Sequence, residues 1–312
     1  MAPSPANRPL APRLWRYLQE RFPLAGFVPL ITVFTFSSAA YSRVARGAPG
    51  FIPWGRFAVG ALTALTFFFV LRVLDEHKDQ DIDRRARPEL PVPRGLVTLA
   101  ELRRVGGAAL AVVVALNAIA APILLLTMVL VAVWATLMTR EFFVRDWLRA
   151  HPSAYLLTHM AIMPLIDAYT TGLDWLAERQ PAPPGLVLFL AVTFLNGMVI
   201  EVGRKLRAPE AEREGVDTYT HVWGLRVAPV VWIVLLLASA TTAWLALRHV
   251  GVTMLEIPLV VSAVACIAPA VWFLKRSTPR AAKLVETASQ LWPLATYLML
   301  GALPFLVRLE SS

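Results

Sequence analysis

The chain is written as a succession of apolar runs about 20 residues long, each bounded by charge or proline. A-L-T-A-L-T-F-F-F-V-L at 61–71 and V-V-W-I-V-L-L-L-A-S-A at 230–240 are typical. A helix rises about 1.5 Å per residue, so such runs cross roughly 30 Å of hydrocarbon. Spanning strands would be shorter and would alternate in polarity, which these runs do not. Of 312 residues, 57% are hydrophobic and 16% charged. These values and a mean hydropathy of +0.59 describe an all-α integral membrane protein.

The pattern predicts nine transmembrane helices, at 23–43, 55–74, 104–120, 122–139, 153–174, 184–203, 227–247, 252–274 and 284–307. Only A-A-P marks the turn between the third and fourth. Residues 1–11 read as a disordered tail without the basic and apolar regions of a signal peptide. P-R-L-W-R-Y-L-Q-E-R-F then reads as an interfacial amphipathic helix, so the chain divides into 1–22 and a membrane domain, 23–312. With the N-terminus cytoplasmic, 24 Lys and Arg fall on the inward side. Only Arg43, Arg46, Arg56, Arg179, Arg248 and Arg308 face outward. The asymmetry supports the nine-span count and a cytoplasmic-membrane location. It also explains the net charge of +9 by topology, which leaves the bilayer as partner and excludes nucleic acid. Cys266, inside an apolar run, has no partner for an intramolecular disulfide. Gly60, Ala64, Gly106, Gly107 and Gly197 are small enough to let helix backbones approach closely.

The second span ends abruptly in R-V-L-D-E-H-K-D-Q-D-I-D, five acids within residues 75–83. Asp75, Asp79 and Asp83 are four residues apart, so on a continuing helix they form one stripe, each displaced about 40° from the last. Like charges at that spacing repel and require cations. Two readings meet the requirement. The stripe is a solvated helix end neutralised by Lys78, Arg84, Arg85 and Arg87, or it holds a divalent ion such as magnesium. Magnesium takes one or two carboxylates plus phosphate oxygens, and neighbouring arginines hold the remaining phosphate oxygens. The substrate of the second reading has a charged head and an apolar tail.

Asp75-x3-Asp79-x3-Asp83 followed by R87-P-E-L-P-V-P-R-G95 resembles the first signature of the UbiA superfamily of intramembrane prenyltransferases, N-x3-D-x3-D with an R-P-L-P-x-G-like continuation. Asp75 stands where the family more often has Asn. The resemblance covers the chain from about residue 20 and implies a nine-helix bundle around a central apolar cavity with cytoplasmic helical caps. It also implies Mg2+ as cofactor, held by Asp75, Asp79 and Asp83 with help from Glu201 of the second signature, and an isoprenoid diphosphate as substrate. The family's second signature, D-x3-D at the end of the sixth helix, corresponds here to N196-G-M-V-I-E201-V-G-R-K205. Glu201 takes the first acidic position and Lys205 stands at the second. The substitution removes a ligand and adds a cation. Glu210, Glu212, Glu214 or Asp217 would have to reach back to replace it, or else form a solvated loop.

Other polar residues near the spans are Asn196, Tyr155, His159 and Asp167, and ionisable groups at membrane depth are functional candidates. His159 and Asp167 are separated by about 12 Å along a helix, which excludes a direct bond between them. Each faces the cavity or makes a structural bond. Lys78, Arg87, Arg94, Arg140, Arg145 and Lys205 are candidate phosphate contacts. Phe67, Phe68, Phe69, Trp134, Phe194 and Trp232 line a prenyl tunnel or pack against lipid. The expected activity is magnesium-dependent ionisation of an isoprenoid diphosphate and prenyl transfer to a lipophilic, aromatic acceptor. The alternatives are a terpene cyclase of the same superfamily, which needs no acceptor, and a non-enzymatic ion- or lipid-binding membrane protein. The D-x2-D-G-x2-A-R pattern of CDP-alcohol phosphotransferases is absent.

Overall fold

Prolines and threonines set where the helices start. Pro122, Pro152 and Pro279 occupy first helical positions, where a missing N–H costs nothing. Thr98, Thr218 and Thr278 accept from a backbone N–H inside the following helix, and Thr98 closes a full capping box with Glu101. In the computed structural model, which describes residues 9–212 and 218–310, the described residues form helices and their connections, with no strand among them. The helices are α1 (Leu10–Arg21), α2 (Leu24–Ala45), α3 (Trp54–Lys78), α4 (Gln80–Ala86), α5 (Leu99–Ala120), α6 (Leu125–Thr139) and α7 (Arg145–Ala150). They continue as α8 (Pro152–Met160), α9 (Ile162–Gly172), α10 (Leu186–Arg204), α11 (Tyr219–His249), α12 (Glu256–Lys275), α13 (Pro279–Tyr297) and α14 (Leu303–Glu310). Of the predicted tail, residues 1–8 lie outside the described residues, and α1 begins at Leu10.

Eight segments are long and apolar enough to cross a bilayer. The predicted fifth span is the exception, because it is split into α8 and α9, and the expected count of nine rests on taking the two as one crossing. Pro164 has no N–H to give the Met160 carbonyl four residues earlier, and α8 ends at Met160. The predicted last span is interrupted too, by a π turn over Leu298–Ala302 between α13 and α14. There Gly301 lies directly against the Ser37 backbone of α2.

One core runs through α10, α11 and α13, around the fully buried Trp232, Trp292 and Phe189. A smaller one, built from Tyr17, Phe22, Phe69, Val73 and Leu102, docks α1 onto α3 and α5. Arg13 completes that docking with an ion pair to Glu101 at 2.6 Å. Outside the bundle, Val112, Ile119, Leu126, Val129, Val260 and Val264 are exposed, as a lipid-facing surface requires. Among the glycines expected at close helix contacts, Gly60 and Gly197 sit against Leu173 and Met163, whereas a methyl on Gly107 would meet nothing.

Four of the six arginines that run against the charge asymmetry face carboxylates. Arg43 and Arg46 bind Asp174 at 3.0 and 2.6 Å, both also reach Glu178, and Arg56 lies 3.5 Å from Glu178. Arg248 pairs with Glu256 at 2.8 Å. Asp174 is fully buried and accepts a further hydrogen bond from Ser42 at 2.6 Å. These contacts tie α2, α3 and the turn after α9 together at the end opposite the aspartates.

Candidate active site at the aspartate end of the bundle

The three aspartates do not stay on one helix. α3 stops at Lys78, Asp79 has φ −92° and ψ 6°, and the chain restarts as α4. The turn divides the stripe. Asp75 remains on α3 with a side chain 54% exposed, 3.2 Å from Arg72. Asp83 is buried and ion-paired to Arg87 at 2.6 Å. Burial pushes the Asp83 carboxyl above the usual aspartate range, and the Arg87 guanidinium opposes the shift. Between them the Asp79 carboxylate has no hydrogen-bond or ion-pair partner among the described residues.

Those observations test the expected metal. No three His, Cys, Asp or Glu side chains converge on one point among the described residues, so there is no all-protein cage. Magnesium rarely uses one, since it keeps water and phosphate oxygens around one or two carboxylates. Asp75, exposed, and Asp79, unengaged, are hard oxygen donors one helical turn apart, and they fit. Glu201 does not. It is buried, its Oε1 lies 2.9 Å from Lys205 Nζ and its Oε2 lies 2.6 Å from Arg204 Nε.

Next to Asp75 a small open cleft lies between α3, α6 and α8. Leu71, Leu74, Ala135 and Met138 form its apolar wall, and Asp75, Lys78 and His159 its polar edge. Lys78 donates to Tyr155 Oη at 2.8 Å and His159 Nε2 at 3.1 Å, and pairs with Glu141 Oε1 at 3.2 Å. His159 Nδ1 is 3.0 Å from the Tyr155 carbonyl, which can only accept. The network therefore assigns the ring proton to Nδ1 and leaves Nε2 to receive from Lys78. The Tyr155 and His159 rings stack at 3.7 Å.

Glu141, which sequence reasoning missed, reaches this site through an unusual backbone. Glu141, Phe142 and Phe143 have φ of 47°, 52° and 60°. Three consecutive non-glycine residues in the left-handed region cost of order 1–3 kcal/mol each, and the ion pairs of buried Glu141 to Lys78 and to Arg145 at 2.9 Å offset part of that. No residue type in T-R-E-F-F-V-R signals such a turn. Arg204 and Glu76 were also missed, although both stand beside residues that were singled out.

Several expected site residues lie elsewhere. Arg94 forms a bidentate pair with Glu20 at 2.7 and 2.9 Å. Asn196 donates to Thr296 and accepts from Ser239, both at 2.8 Å, inside the seam of α10, α11 and α13. Asp167 is caged by Ser38 at 2.8 Å, Thr170 at 3.1 Å and Tyr297 at 2.5 Å. Arg140 is exposed at the end of α6. Glu212 accepts from Thr218 and Thr220, which closes its own loop, and Glu210 is exposed. Glu214 and Asp217 lie outside the described residues. Trp232 is a core residue, with its indole bonded to the Val199 carbonyl at 3.0 Å.

The model of the UbiA prenyltransferase family matches residues 32–306. A search of curated protein sequences finds no match. Two solved structures share the fold. The structure reported as "Structural and mechanistic insights into the biosynthesis of Digeranylgeranylglyceryl phosphate synthase in membranes" is 13% identical, with a TM-score of 0.63 over 92% of this chain and 97% of that one. The apo structure of a UbiA homolog from Aeropyrum pernix K1 is 15% identical, with a TM-score of 0.65 over 89% and 98% of the two chains.

Proposed function

The chain belongs to the UbiA prenyltransferase family, and on that premise we propose that it ionises an isoprenoid diphosphate at the α3–α4 junction and transfers the prenyl group to a lipophilic, aromatic acceptor within the membrane. One observation carries the reading: Asp75 and Lys78 line the polar edge of an apolar cleft, and the unengaged Asp79 carboxylate follows Asp75 by one turn. The polar edge has the character that phosphates require, and the wall that of a surface a hydrocarbon tail would lie against.

Asp75 and Asp79 would hold magnesium, which when bound neutralises negative charge on the departing diphosphate. The Lys78 ammonium adds a fixed positive charge, and Tyr155, His159 and Glu141 hold it in one place. A donor already oriented before the allylic C–O bond breaks stabilises charge that develops only in the transition state. As the bond breaks, its electron pair leaves with the diphosphate. The allylic cation would lie against the apolar side chains of Leu71, Leu74 and Met138. The acceptor's π electrons then form the new C–C bond and the acceptor loses a proton. The charge asymmetry supports a cytoplasmic orientation of the aspartate end.

The test is diphosphate release from farnesyl and geranylgeranyl diphosphates by the purified protein in detergent, with and without magnesium, in the wild type and in Asp79→Ala. Release that needs magnesium, a lipophilic acceptor and Asp79 supports prenyl transfer. Release without acceptor, yielding a cyclic hydrocarbon, replaces transfer with cyclisation. Undiminished release in Asp79→Ala sinks the assignment of the site.

A further inference from the structure

The second motif has a chemistry of its own. Both oxygens of buried Glu201 are engaged, one by Lys205 and one by Arg204, whose Nη2 lies 2.5 Å away. A divalent ion would have to evict a cation to reach either oxygen. Within the second motif one carboxylate faces two cations, and the charge of Asp75 reaches Arg204 from the first motif. Lys205 Nζ lies 5.8 Å from the centre of the Tyr155 ring and 5.8 Å from that of Tyr219. Lys78, from the first motif, lies 4.7 Å from the same Tyr155 ring. The ammonium groups of the two motifs therefore share one aromatic neighbour. Lys205 gives one of its three N–H donors to Glu201, and ring faces accept but do not compete for an anion, so donors remain for a ligand.

We propose that Lys205 and Arg204 form a metal-free anion subsite that takes one phosphate of the substrate's diphosphate, so that the chain works with a single divalent ion, on Asp75 and Asp79. The inference rests on the diphosphate reading of the site and specifies how its second half is built. Lys205 does with a fixed ammonium what an acid at that position would do through a bound metal: it places positive charge beside the leaving group.

The experiment is calorimetric titration of inorganic pyrophosphate into the detergent-purified full chain in excess EDTA, followed by electron paramagnetic resonance counting of Mn2+ per chain at saturating pyrophosphate. The wild type binds pyrophosphate without metal and takes up one Mn2+. Lys205→Ala weakens metal-free binding roughly tenfold, the size of one charge-assisted hydrogen bond, and Lys205→Arg retains it. Lys205→Asp abolishes metal-free binding and raises the count from one Mn2+ to two. Two Mn2+ on the wild type, or EDTA-resistant binding indifferent to Lys205→Ala, overturns the proposal. Geranylgeranyl diphosphate displaces the pyrophosphate if the subsite belongs to the prenyl substrate, and failure to displace it overturns that link. None of these readouts requires turnover, so a failure of the enzymatic reading and a failure of the subsite are seen separately.

Discussion

Arg21 Nε stands 2.7 Å from Glu76 Oε1, which joins the end of α1 to the residue that follows Asp75. Glu76 is buried, and its other contacts are weaker: Tyr17 Oη at 3.5 Å and Arg72 at 4.0 Å. Removing one partner of a buried pair leaves the other charge desolvated, at a cost of about 3–5 kcal/mol. Arg21→Ala should therefore lower the thermal midpoint in detergent substantially. Arg16→Ala, which breaks an exposed pair with Glu20 one turn away, should change it by no more than ~0.5 kcal/mol. Equal midpoints for the two variants would show that α1 is not anchored through Glu76.

Lys78 is the cation that the proposed chemistry can least spare. Its replacement by methionine keeps most of the aliphatic length and removes the charge. Loss of one preoriented donor to a developing anion costs on the order of 100- to 1,000-fold in rate. The expected result for Lys78→Met is that fall in kcat with KM for the prenyl diphosphate changed far less, because Asp75 and Asp79 remain. A rise in KM at constant kcat would mean that Lys78 binds ground state and transition state alike.

The Glu20–Arg94 strap makes a pH-dependent contribution. Hydrogen bonds from Arg94 hold the Glu20 carboxyl below the usual glutamate range. An acid with a depressed folded value contributes stability that is present above its unfolded value and is lost as pH falls through the folded one. The pair is partly exposed, so its worth is at most ~1 kcal/mol. Glu20→Gln should melt slightly below the wild type at pH 7, and the gap should close as pH falls below the ordinary glutamate value of 4.5. A gap that persists at pH 3 would assign the effect to packing.

What could be read in advance, and what could not, follows from range. Hydrophobic runs and starting prolines are local, so the helices appear close to where they were expected, α1 included. The aspartates and Lys205 were visible because their spacing is local too. What the acids do was not visible, because it depends on the break at Asp79, which separates Asp83 from Asp75. Arg94 and Asn196 read as site residues because polar groups near spans are rare, but their partners, Glu20 and Thr296, are 74 and 100 residues away in sequence. Glu141 was missed because its inward position depends on three left-handed residues that no glycine announces.

At the opposite end, Asp174 and Glu178 share the same arginines but not the same environment. Asp174 is fully buried and Glu178 is 30% exposed. Asp174→Asn removes the charge facing the guanidinium groups of buried Arg43 and largely covered Arg46 and should cost about 3–5 kcal/mol. Glu178→Gln, with water at hand, should cost no more than ~1 kcal/mol. Thermal melts of the two variants in one detergent settle the order.

Three glycines test the packing directly, because a methyl group is the same perturbation at each. At Gly301 it would run into the Ser37 carbonyl, a backbone group that cannot rotate away. At Gly60 it would meet the end of the Leu173 side chain, which can change rotamer, and at Gly107 it would meet nothing. Overpacking costs typically 1–3 kcal/mol when the neighbour must move, whereas alanine in an open helix interior gains roughly 0.5–1 kcal/mol over glycine. The expected order of thermal midpoints is Gly107→Ala at or above the wild type, Gly60→Ala below it and Gly301→Ala lowest. If Gly301→Ala melts with the wild type, α2 and the π turn are not in backbone contact. Tyr297 immediately precedes the turn and donates to Asp167, so a Gly301→Ala variant that survives purification should also weaken that bond.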